Sequence, residues 1–178
     1  MKQTEQQCYA FLTSRQSMVL STQALSGELE CSVVPFVHLD NGTFAILVSE
    51  LAQHTQNLLG LLNAGKFASN QKSDNLKSAG LVAGLLVADE SATEQLFARE
   101  RLSLQLAAEH ITADSETHSQ ILELMKVQFG DVIEVLAGLP DFHCFKLQVK
   151  SGRYVRGFGA AYEFTDCPCI KLQGVKGR

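Results

Sequence analysis

The stretch DCPCIKLQGVKGR at positions 166–178 holds two of the chain's five cysteines, Cys167 and Cys169, on either side of a proline, with three basic residues and no histidine. Two thiols are half of a zinc set, and no further cysteine pair or histidine pair lies at ligand spacing to complete it. Arg99 and Arg101 flank the start of an alternating segment. Two guanidiniums there could hold phosphates or propionates, or form a solvated surface pair. The five histidines, His38, His54, His110, His118 and His143, are scattered. Only His54, within a helical pattern, and His143, two residues beyond Asp141, stand near other polar groups of interest. No G-x-S-x-G elbow, P-loop or H-E-x-x-H is present, and Gly157-Phe158-Gly159 is too short for a dinucleotide fingerprint. That Gly-Phe-Gly reads as a strand approached closely by another backbone or a flat ligand.

These residues belong to a chain of 178 residues, the size of one domain. A chain this long buries roughly 70% of its unfolded surface and needs no metal or disulfide to fold. Hydrophobic content of 46% suffices for a core, and a net charge of −4 argues against a general nucleic-acid surface. No apolar run reaches the ~18 residues of a membrane helix, and the N-terminal MKQTEQQCYAF lacks the apolar stretch of a secretory signal. The expectation is a cytoplasmic protein with reduced cysteines.

Residues 4–15 read as a helix with Cys8, Phe11 and Leu12 on one face, followed by a buried strand at 18–22. The segment 28–39 alternates, which predicts Leu29, Cys31 and Val33 inward and Glu28, Glu30 and Ser32 outward, with an edge or bulge at Pro35. Asp40-Asn41-Gly42 is a hairpin turn into a strand at 43–49. A helix over 49–63, capped by Ser49, turns Leu51, Leu58, Leu59 and Leu62 to the core, and a polar loop follows it. A strand at 80–88, a short helix opened by the capping-box spacing of Ser91 to Glu94, and a strand at 101–111 come next. Asp114 opens the longest helix, which Gly130 bends or splits. Residues 145–164 read as a hairpin around Ser151-Gly152, with Phe145, Leu147 and Val149 opposite Lys146, Gln148 and Lys150. The sum is an α+β, mostly β domain of six or seven antiparallel strands, closed as a barrel to remove its edges.

Several segments resemble the HugZ/HutZ haem-utilisation family of the split β-barrel, pyridoxamine 5′-phosphate oxidase-like FMN-binding superfamily. They are VVPFV at 33–37, LAQHTQNL at 51–58, LFARERL at 96–102, QFGDVIEVLAGL, and DFHCFKLQVKSGRYVRGFGAAY at 141–162. The resemblance implies one domain over 1–178. A split barrel spans 10–111 and 141–164, a helical element 112–139, and a tail 165–178. It implies a homodimer with haem sites at the subunit interface, where haem is opened oxidatively and iron released. Arg101 matches the second arginine of the family's F-A-R-x-R motif near the haem. Asp141 matches an aspartate that tunes the axial histidine. His54 matches a histidine of the family's A-R-H-A-R-N helix.

Two positions depart from the pattern. Gln53 and Gln56 replace both helix arginines, and a neutral amide at Gln53 weakens any flavin-phosphate contact, though Ser49 or Arg15 could compensate. In the tail, Val175 stands where the family's iron-ligating histidine belongs. Three readings follow: a haem binder with another axial ligand, an FMN-binding oxidoreductase, or a non-catalytic binding or sensor barrel. For the first, Cys167 or Cys169 could supply the iron with a thiolate, or both could be thiols without that role. His143 is a further candidate ligand.

Overall fold

The computed structural model describes residues 2–40, 42–68 and 81–175, with the side chains of 65–68 and 81 left aside. Helix α1 (Gln3–Thr13) buries Glu5, Cys8, Phe11 and Leu12, the face its spacing predicts. Strands β1 (Ser17–Gln23), β2 (Leu29–Pro35), β3 (Val37–Asp40) and β4 (Thr43–Ser49) lead into α2 (Gln53–Ala68). Then come β5 (Leu81–Val87), two 3₁₀ turns, β6 (Arg101–Ile111), α3 (Glu116–Phe129), α4 (Val132–Ala137), β7 (Phe142–Gly157), β8 (Ala160–Thr165) and the two-residue β9 (Gln173–Gly174). Asn41 of the expected hairpin turn and most of the polar loop after α2 lie outside the described residues.

All pairings are antiparallel, in the order β2-β1-β5-β6-β7-β4-β3. The two ends of that path, β2 and β3, are consecutive in the chain and separated only by Phe36. One bent strand thus pairs with β1 on one side and β4 on the other, and the sheet closes on itself. Pro35 has no amide to donate, so the ladder breaks there, and the Phe36 amide instead bonds the carbonyl of Gln16 at 3.0 Å. Met18, Leu20, Phe44, Ile46, Leu102, Leu104, Leu106, Phe145 and Leu147 fill the interior, closed by α1 and Leu58 of α2. A second cluster, Val37, Ala45, Ile111, Ile121, Met125, Ile133 and Cys144, seats α3 and α4 outside the barrel.

Several local expectations are corrected. In β2 the inward set is Glu30, Ser32 and Val34, while Leu29 is 80% and Val33 66% exposed and Cys31 is also exposed. Alternation is present, but the apolar parity faces away from this chain's own core. Helix α2 starts at Gln53, because the Ser49 hydroxyl is bound to Asp141 and the Leu51 amide, and Leu51 is 94% exposed. The segment after Asp89 forms only 3₁₀ turns, bracketed by a bond from Thr93 Oγ1 to the Asp89 carbonyl and by the Gln95 side chain. Ser115, not Asp114, caps α3 by accepting from the His118 amide, and Gly130 at φ 82° separates α3 from α4.

Gly152 is not a turn. It lies inside the sixteen-residue β7, where an added Cβ would come 2.4 Å from Phe164 Cζ and 2.6 Å from the Ser103 carbonyl. The turn is Phe158-Gly159, with Gly159 at φ 67°, so Gly157-Phe158-Gly159 reverses the chain rather than admitting a close neighbour.

Candidate functional site

The outer face of the sheet carries a register row of Val33, Val19, Leu85, Ser103, Arg153 and Glu163, of which Val33, Ser103, Arg153 and Glu163 are exposed. Over β6, β7 and β8 this face is hollowed into a groove of about 680 Å³ walled by Ser103, Arg153, Glu163, Cys167, Ile170 and Lys171. A second hollow of about 470 Å³ shares Ser103 and Arg153 and adds Phe97, Arg101 and Phe158. Phe97 and Phe158 are 87% and 73% exposed. Arg153 reaches this face because of a bulge: Gln105 pairs with Ser151 but Leu106 with Val149, leaving Lys150 as an extra residue. The bulge reverses the parity of β7, so Val149 and Tyr154 both point inward and Arg153 points out.

Arg101 lines the second hollow, beside the groove, with its Nη1 donating to the Arg99 carbonyl at 3.0 Å. Arg99 does not join it. Its Nε donates to the Ala88 carbonyl at 2.5 Å and its Nη1 meets Glu90 at 2.9 Å, which turns it to the α1 side beside Arg15 and Asp89. Arg15 is itself paired with Asp89 at 3.2 Å. Cys167 faces the groove, and burial, with the nearby Asp40, pushes its thiol up and away from thiolate. Cys169 is withdrawn: its sulfur is fully buried and bonded to Cys8, with Cα atoms 5.3 Å apart, so it has no thiolate to offer iron. That bond also overturns the expectation of five reduced cysteines. Val175 follows β9, its amide donating to the Ala161 carbonyl at 2.8 Å.

The remaining candidates form a second group at the opposite end of β7. Ser49 Oγ donates to Asp141 Oδ2 at 2.6 Å, and the Glu50 amide donates to the Asp141 carbonyl at 2.8 Å. Gln53 Nε2 donates to Asn57 Oδ1, and Asn57 in turn donates to Thr22, so the amide is committed within α2 and β1. His54 Nδ1 is 2.7 Å from Ser32 Oγ. Burial pushes its pKa below the ordinary histidine value against the pull of Glu30, and its Nε2 is buried without a partner. His143 places Nε2 2.5 Å from Glu50 and Nδ1 3.1 Å from His110 Nε2, so both ring nitrogens are engaged. Among the described residues no group of three or more His, Cys, Asp or Glu is placed to hold a metal ion, and no helix is long and apolar enough to cross a membrane. From Phe142 to Val155, opposite Arg101, runs about 40 Å of chain path. One protomer therefore does not bring Asp141 and Arg101 together.

Sequence reasoning missed Arg153, Lys171, Phe97 and Phe158 in the groove, and Glu50 with His110 beside His143. The bulge that turns Arg153 outward has no strong signature, and Lys171 is placed by the tail's path.

No protein-family model matches the chain. The haem oxygenase HutZ of Vibrio cholerae is 32% identical over 155 residues, covering 87% of this chain and 77% of HutZ. The chain belongs to the HutZ haem-utilisation family. A crystal structure of HutZ, there called a haem storage protein, superposes with a TM-score of 0.71 at 31% identity, over 88% of this chain and 96% of that one. Campylobacter jejuni ChuZ gives 0.73 at 27% identity, over all of this chain and 67% of its own. A pyridoxinephosphate oxidase-family protein of Clostridium acetobutylicum gives 0.60 at 10% identity, over 93% of this chain and 96% of that one. It shares the fold, which is the split barrel with flanking helices expected from sequence.

Proposed function

We propose that this member of the HutZ family binds haem in the outer groove of β6–β8 at the interface of a homodimer, and opens it oxidatively to release iron. The observation that carries the reading is the groove itself, with Arg101, Arg153 and Lys171 on a sheet face whose apolar row is left uncovered. Its volume is that of a small-molecule site. The Arg101 guanidinium and the Lys171 ammonium would pair with the propionates, Arg153 being held by its ion pair with Glu163, and Phe97 and Phe158 would lie against the ring. Cys167 is the thiol in the groove that would meet iron, once the cation lowers its pKa. Haem would be both substrate and cofactor, its iron supplying the redox chemistry.

A second copy is needed for two reasons. Leu29 and Val33 continue the groove's face and gain by being covered. Ser49 and Asp141, remote from Arg101 within one chain, could face the groove only from a partner; there Ser49 would orient Asp141 to hold a proton near the iron site.

FMN is the weaker reading. The first turn of α2 offers the neutral Gln53 already bound to Asn57, and Ser49 is bound to Asp141, so neither is free to grip a phosphate. Titration with ferric haem should give a sharp Soret band saturating at one haem per chain, with Cys167→Ser shifting it. No band at stoichiometric haem would refute haem binding. An unchanged band in the variant would remove Cys167 from the iron.

A further inference from the structure

The tail is held in place by an unusual concentration of devices. Among the described residues, three of the four non-glycine residues with positive φ are in it: Asp166, Cys169 and Lys171. Such a path persists only where its surroundings over-determine it. Here the surroundings are α1 and the β3–β4 turn. Glu5, one helical turn from Cys8 on the buried face of α1, accepts from the Lys171 amide at 3.0 Å. Hydrogen bonds from the amides of Lys2, then of Lys171 and Leu172, hold the Glu5 carboxyl below the usual carboxylate range. Pro168 packs on Gly42, where an added Cβ would come 2.7 Å from its ring. Cys8 and Cys169, separated by 161 residues, close the set with a disulfide whose two ends are fully buried. The segment so fixed supplies Cys167, Ile170 and Lys171 to the groove wall.

We propose that Cys8 and Cys169 are a reversible redox latch: their oxidation seats the tail against α1 and completes the groove wall, and their reduction releases it. The oxidant is a low-molecular-weight disulfide. With the tail lifted, Cys169 attacks it to form a mixed disulfide and expels one thiol. Cys8 then displaces the second thiol as the Cys8–Cys169 bond forms. Two protein thiols lose two electrons and two protons, and one small disulfide becomes two small thiols. Burial of both sulfurs means that a reductant gains access only when the tail opens, so reduction of the folded protein is slow.

The latch is read without haem, so its outcome is separate from that of haem binding. The full chain is treated with glutathione disulfide or with dithiothreitol, denatured, alkylated and weighed. Three alkylated cysteines, Cys31, Cys144 and Cys167, are expected in the oxidised form, with a peptide linking Cys8 to Cys169, and five in the reduced form. Hydrogen exchange at the amides of Lys171 and Val175 should be at least tenfold faster in the reduced protein and in Cys8→Ala under oxidant. Cys31→Ser should behave as the parent. Five alkylated cysteines after the oxidant would overturn the latch, as would equal tail exchange in both forms. If Cys8→Ala fails to fold, the oxidised and reduced forms of the unaltered chain still decide the question.

Discussion

Arg99 and Arg101 carry the same charge two residues apart and end in different places. Arg99 ties the 3₁₀ segment to the end of β5 through the Ala88 carbonyl and Glu90, whereas Arg101 lines the hollow beside the groove. Arg101→Ala should therefore weaken haem affinity about tenfold or more, which is about 1.4 kcal/mol, with little change in stability. Arg99→Ala should leave affinity within about twofold and lower stability by about 1 kcal/mol. Soret titration and guanidinium unfolding of both variants check the division. Cysteine environment gives a second contrast. Burial pushes the Cys144 thiol up to about 12, so at pH 8 it stays protonated, while Cys31 is exposed. A maleimide at that pH should label Cys31 readily where no second copy covers β2, and should leave Cys144 untouched in either case. Labelling of both at one rate would contradict the burial of β7's outward face under α3.

At the scale of elements, Gly152 and the Lys150 bulge set the shape of β7. Gly152→Ala would drive a methyl into Phe164 and the Ser103 carbonyl and should cost about 1–3 kcal/mol, read by denaturant midpoint. The succession of strands along the chain, the Pro35 break and the α1 face were legible, because hydrophobic period and proline chemistry are local. The direction of β2 was not. Alternation marks which residues share a face, but not whether that face meets the chain's own core or another molecule, and in Leu29, Cys31 and Val33 it is the outer one. The Ser151-Gly152 pair resembles a hairpin signal, yet here the glycine is required by a neighbouring ring and carbonyl. For the site, Arg101 lines the hollow beside the groove and Cys167 lines the groove, whereas Arg99 and Cys169 are taken up by Glu90 and Cys8. Those partners lie far off in the sequence or depend on how a short turn folds, so spacing alone did not show them.

At the scale of the whole molecule, the half-buried His38 and the buried His54 link the fold to pH. Burial lowers the pKa of His38, against a bond to the Leu12 backbone, and of His54, against Glu30. The folded state binds protons on both less readily than the unfolded chain, which protonates them near pH 6.5. Unfolding therefore takes up protons below that value, and stability should fall as pH drops from about 6.5 toward 5. Denaturant midpoints at pH 7.5, 6.5 and 5.5 should fall in that order, and His54→Gln should flatten the trend; equal midpoints would place the two imidazoles in water. The exposed row of β2 makes the companion prediction that Val33→Glu yields monomers by light scattering without unfolding the barrel.

Haem held between two copies of this chain is tested most directly by sedimentation of the protein with stoichiometric ferric haem, followed at the Soret wavelength. The Soret absorbance should travel with a particle of twice the 19.4 kDa chain mass. Absorbance moving with a single chain, or remaining with unbound haem, would contradict the interface site.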